Sequence, residues 1–106
     1  MREILEKIAE ALEERYDTTI TANGYLKARD CWPSFEEDYE KECDHVTIRL
    51  TPLQKGVLVE VERFLFAYDA VNFAEEQSAE YYPFYVPKGH EEDIPALVAE
   101  ILGVRA

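Results

Sequence analysis

The sequence predicts an α+β domain, with an antiparallel β-sheet of about 4–5 strands and N- and C-terminal helices packed on one face. Three observations carry that expectation. Val57, Val59 and Val61 alternate with Leu58, Glu60 and Glu62, the period of two of a half-buried strand. His45–Thr51 supplies its partner, with Val46, Ile48 and Leu50 apolar and His45, Thr47 and Arg49 polar. Both ends of the chain instead carry apolar residues at helical spacing. At 106 residues the chain is expected to be one domain, 1–106, burying roughly 65% of its unfolded surface.

In chain order, Ile4, Leu5, Ile8, Ala11 and Leu12 form one helical face within Arg2–Tyr16, and Glu3, Glu6, Glu10, Glu13 and Asp17 recur on another. Glu3 and Lys7 are an opposite-charge i, i+4 pair, worth about 0.2–0.5 kcal/mol, so packing must hold this helix. Thr18–Ala22 and Tyr25–Arg29 flank Asn23-Gly24, a type I′ hairpin signal. Asp30–Asp44 differs in texture: Pro33 bars a central strand, and Ser34 with Glu37 would open a short helix unless the stretch is a long exposed loop. A loop through Pro52 and Gly56 joins the central strands. Phe64, Leu65 and Phe66 break the alternation of the second one, which predicts burial on both faces or a bulge.

Ala70, Phe73, Ala74 and Gln77 share a helical face, suggesting a helical turn from Asp69. Glu80–Val86 reads as a strand that Pro83 confines to an edge or a bulge. Its alternation separates Tyr82 and Phe84 from Tyr81 and Tyr85; one pair belongs to the core, and the other is exposed or covered by a second subunit. Ile94, Leu97, Val98, Ile101 and Leu102 make the final helical stripe, with Asp93 as N-cap, Pro95 in the first turn and Gly103 as the stop.

The charge balance is the unusual property, with 23 acidic residues against 11 basic ones and a net charge of −12. Such a field disfavours direct contact with nucleic acid or an anionic membrane and steers the chain toward basic partners. Met1 leads straight into the charged helix, so no signal peptide is expected, and no apolar run approaches the ~18 residues of a membrane span. A cytoplasmic setting is the expectation, with Cys31 and Cys43 as free thiols that could meet in the fold.

The candidate binding residues fall in two groups. Trp32, Phe35 and Tyr39 are aromatic anchors among Glu36, Glu37, Asp38, Glu40, Glu42 and Asp44, a combination that would select a Lys/Arg-rich surface. Glu6, Glu10 and Glu13 line the first helix. The carboxylates from Glu3 to Asp17 cover about 21 Å, a length in which one DNA strand carries about six phosphates, so the helix edge approximates a nucleic-acid backbone. A solvated acidic surface is the plainer reading of both groups.

Metal and catalytic sites find less support. Cys31, Cys43 and His45 are zinc-ligand types, with His90 or Asp30 as a fourth, but close-spaced cysteine pairs are missing. No nucleophile elbow, phosphate loop or H-E-x-x-H occurs, and no cofactor is expected. The expected function is a non-enzymatic acidic inhibitor occupying the nucleic-acid-binding surface of a basic protein, as phage-type mimics, inhibitors of CRISPR effectors and toxin-immunity proteins do. The alternatives are a small oligomeric housekeeping or ligand-binding domain without catalysis, or an enzyme using His45 with nearby carboxylates; the Tyr81–Tyr85 edge strand also offers a homodimer surface.

Overall fold

A computed structural model describes residues 1–33, 41–69 and 74–104, with side chains for all of these except 32–33, 41–42, 68–69 and 74–76. The elements are α1 (Arg2–Leu12), β1 (Asp17–Ile20), β2 (Tyr25–Pro33), β3 (Lys41–Leu53), β4 (Gly56–Asp69), β5 (Ala74–Pro87), a 3₁₀ turn (Glu91–Asp93) and α2 (Ile94–Leu102). The strands form one five-stranded antiparallel meander in the order β1-β2-β3-β4-β5. This is the expected α+β arrangement.

Strand alternation decides which side of the sheet the helices cover. Leu26, Ala28, Val46, Ile48, Val59, Val61 and Val86 share one face and are buried there. Leu5, Ile8 and Leu12 of α1 and Ile94, Val98 and Leu102 of α2 close over them. Among the described residues no helix lies on the opposite face, and Tyr81 and Tyr85 stand there at 53% and 47% exposure. Tyr82 and Phe84 pack against the core from the helical side, so that pair is the inner one.

Several local expectations change. The first helix ends at Leu12, and Tyr16 drops out of it into the interior at 2% exposure. Its i, i+4 ion pair is Arg2–Glu6, at 3.4 Å, and not Glu3–Lys7. The β1–β2 turn spans Thr21–Gly24, closed by the Gly24 N–H donating to the Thr21 carbonyl at 3.0 Å. Gly24 takes φ 83°, which only glycine adopts cheaply. Ala74–Glu80, read as partly helical, is the first half of β5. There, pairing with β4 overrides a weak helical pattern.

The register from Lys41↔Tyr68 to Leu53↔Gly56 is continuous, so β4 carries no bulge. Its Phe64–Phe66 end is not buried on both faces either, because the sheet outruns its cover. Strands of 13 and 14 residues extend about 45 Å, whereas the 11 residues of α1 reach only about 16 Å. The molecule is accordingly elongated, 52 × 26 × 22 Å, and beyond Arg63 the β4 side chains Phe64, Leu65, Phe66 and Ala67 are half-buried or exposed. Pro83 sits on β5, the edge strand, where a missing N–H is tolerated.

A buried polar network marks where the helical cover ends. Asp44, 1% exposed, occupies the inward phase of β3 beside Val46. Its Oδ2 accepts from the Tyr16 hydroxyl at 2.5 Å and from Arg63 Nη2 at 2.9 Å, and its Oδ1 accepts from Arg63 Nε at 3.1 Å. Arg15 lies 3.8 Å from the same carboxylate, donates to Asp30 Oδ2 at 3.3 Å and reaches the Leu102 carbonyl at 3.4 Å. Burial, reinforced by the hydrogen bond to Asp44, pushes the Tyr16 phenol up to about 12, and the same carboxylate raises Arg63.

Two predictions follow from this network. Arg63→Met strands a buried carboxylate and should lower unfolding free energy by about 3 kcal/mol or more in urea titration, while Asp44→Leu with Arg63→Met should recover most of that loss. The Tyr16 phenol ionises later folded than unfolded, so its contribution is complete below about pH 10 and is lost as pH rises toward 12. Urea midpoints should fall across that window, and Tyr16→Phe should flatten the fall while costing about 1.5–3 kcal/mol at pH 7.

Candidate protein-interaction surface

The surface charge of the described residues is segregated by layer. On α1, inward positions are Leu5, Ile8 and Leu12, so the remaining phase turns Glu3, Glu6 and Glu10 outward, and Glu13 and Glu14 continue the row in the turn that follows. All five are exposed, and among the described residues only Glu6 of them has an ion-pair partner. Around α2, Glu92, Asp93 and Glu100 are exposed as well. His90 approaches Asp93 at 3.8 Å, and the Asp93 side chain makes no capping hydrogen bond. The helical layer is therefore rich in carboxylates, diluted by Arg2 and Lys7.

The uncovered face of the sheet is mixed in sign. Register sets Asp17 opposite Arg29 and Glu60 opposite Arg49. Arg49 lies over the Tyr25 ring, 5.7 Å from its centroid. The Tyr81 hydroxyl donates to Glu60 Oε2 at 2.6 Å, and that hydrogen bond raises the Tyr81 phenol above its ordinary range. On the helical side of β5, Tyr82 is raised likewise by its hydrogen bond to Glu80. His45, Thr47, Phe64, Ala79 and Tyr81 border a shallow concavity of about 370 Å³ on this face. Along β5, Tyr82, Pro83 and Phe84 form a groove of about 650 Å³ with Leu97 and Ile101.

The expected site residues divide accordingly. Glu6, Glu10 and Glu13 are together on the exposed face of α1. Asp44 is not on any surface: it is buried and bonded to Tyr16 and Arg63, which removes it from the acidic patch. Phe35, Glu36, Glu37, Asp38, Tyr39 and Glu40, with the proposed Ser34–Glu37 cap, lie outside the described residues. Trp32 and Glu42 are placed as a backbone pair in β2 and β3, their side chains also outside the description.

Cys31 and Cys43 are directly opposed on β2 and β3 and joined as a disulfide, which corrects the expectation of free thiols. His45 is two residues along β3, on the same uncovered face. Neither suggested fourth ligand is near. Asp30 faces the opposite side, bonded to Arg15. His90 follows β5 at the Gly56 end of β4, ten residues and so about 33 Å from the position of Phe66 opposite Cys43.

Asp44, expected on the acidic surface, and Asp30, suggested as a fourth metal ligand, are instead buried, and a signal for this exists: both fall in phase with apolar neighbours, Leu26-x-Ala28-x-Asp30 and Asp44-x-Val46-x-Ile48. Comparison with protein-family models, with curated proteins and with solved structures found no match. Among the described residues no helix is long and apolar enough to cross a membrane.

Proposed function

We propose that this chain is a non-enzymatic interaction protein whose carboxylate-bearing helical layer occupies a basic, nucleic-acid-binding surface of another protein. The observation that carries this reading is the exposed row Glu3, Glu6, Glu10, Glu13 and Glu14, which runs along α1 with only Arg2 paired to it among the described residues. Five carboxylates, of which only Glu6 has an ion-pair partner among the described residues, on a helix and the turn that follows it present charge at the density of a phosphate backbone, and the helical part needs no ordering on binding. The net charge of −12 adds long-range steering toward a positive target. Inhibitors of nucleases or CRISPR effectors are the concrete class.

The test uses the whole chain and a Glu6→Lys/Glu10→Lys/Glu13→Lys variant, all three positions being exposed and outside the core. The wild type should bind its partner with affinity that falls steeply with salt, should compete with duplex DNA for it, and should lose at least about tenfold in affinity on charge reversal. Binding indifferent to salt, to DNA and to the triple substitution would sink the proposal.

A second reading rests on β5, a 14-residue edge strand flanked by exposed Tyr81, Tyr85 and Leu97. An open edge with apolar borders can pair with a second copy. Sedimentation should then show a dimer that Tyr85→Glu dissociates; a monomer at all concentrations excludes it.

A further inference from the structure

We propose that Cys31, Cys43 and His45 form a Zn²⁺ site in the dithiol form of the chain, and that the Cys31–Cys43 disulfide is the oxidised, metal-free state of that site. The placement follows from strand geometry. Cys31 and Cys43 are register partners with Cα atoms 4.1 Å apart, and His45 follows at i+2, so all three side chains project from the uncovered face. One ligand atom from each lies within 4.8 Å of the others. Thiolate and imidazole ligands of a tetrahedral zinc stand about 3.5–3.8 Å apart, a difference that side-chain rotation can close without shifting the ladder.

The donor set also selects the ion. Two thiolates and an imidazole favour thiophilic Zn²⁺ over Mg²⁺ or Ca²⁺, and two thiolate charges neutralise a dication. The adjacent β4 positions are Phe66, opposite Cys43, and Phe64, opposite His45. They offer no ligand atom but supply an apolar flank that strengthens metal–thiolate attraction. Among the described residues three ligands gather here, and His45 is exposed, so a fourth donor such as water can reach the ion.

The redox step balances. A dithiol reductant converts the disulfide to two thiols and is itself oxidised to a disulfide; Zn²⁺ then displaces the two thiol protons to solvent. A small-molecule disulfide reverses this: its S–S bond takes up the two electrons, the Cys31–Cys43 bond forms and Zn²⁺ leaves.

The test is Co²⁺ and Zn²⁺ titration of the intact chain, with and without phosphine reduction. The reduced chain should take one equivalent of Co²⁺ with a thiolate-to-cobalt charge-transfer band, Zn²⁺ should abolish the band, and the disulfide form should show none. His45→Gln, at an exposed position that leaves the core intact, should weaken Zn²⁺ binding by roughly tenfold or more. Cys43→Ser should remove the band, with circular dichroism reporting the fold of that more buried variant. No charge-transfer band in the reduced chain, equal Zn²⁺ affinity in His45→Gln, or equal Zn²⁺ binding by the disulfide form would each overturn the proposal.

Discussion

The buried carboxylate of Asp44 is the constraint on which the packing of this molecule depends. A lone ionised group at 1% exposure would be prohibitively costly, and here it is met by a bidentate guanidinium from β4 and a phenol from the α1–β1 connection. Arg15 extends the set to Asp30 on β2 and to the last carbonyl of α2. One polar cluster thus fixes three strands and both helix ends against each other. Apolar side chains of the same volume often give comparable stability, but they impose no pairing requirement on the position of α1 along the sheet. Satisfied polar groups do not, because every shifted register leaves a charge unpaired.

That cluster also explains which parts of the fold were legible in the sequence. Strands β3 and β4, the α2 stripe with Gly103, and the edge placement of the Pro83 strand follow from periodicities that tertiary contacts reinforce. The misreadings share a cause. Tyr16 continues a helical pattern and so reads as the end of the first helix, and Asp44 ends an acidic run and so reads as surface; the two are hydrogen-bonded across 28 residues, a separation at which local pattern is silent. The β5 start at Ala74 was hidden because its side-chain pattern is weak and the β4 ladder decides it. Of the candidate site, the α1 carboxylates were readable from helical spacing. The mixed charge of the uncovered face was not, because it arises from cross-strand register.

Segregation of charge between the two faces follows from the same architecture. On the sheet, cross-strand neighbours of opposite sign stabilise the pairing, so selection for a stable ladder distributes lysine and arginine there. On α1, neighbouring positions are three and four apart along one element, and repeated glutamates cost only a few tenths of a kcal/mol each against a well-buried opposite face. The helical layer can therefore concentrate negative charge cheaply, whereas the sheet cannot. A partner that reads charge would find its target on the helices.

The far half of the sheet poses the complementary problem. Past the Asp44–Arg63 pair no helix among the described residues covers the strands, so the β2–β3 ladder there relies chiefly on its hydrogen bonds, each worth little in contact with water. A cross-strand tie compensates for the missing core. Closing the 12-residue separation between Cys31 and Cys43 restricts the unfolded chain by about 3 kcal/mol in the loop-entropy description. A metal held by the same two sulfurs would exert an equivalent constraint while adding His45 from β3. Either tie fixes the spacing of β2 and β3 at this end of the ladder, so the chemistry of two side chains does here what the apolar stripes of α1 and α2 do at the other end.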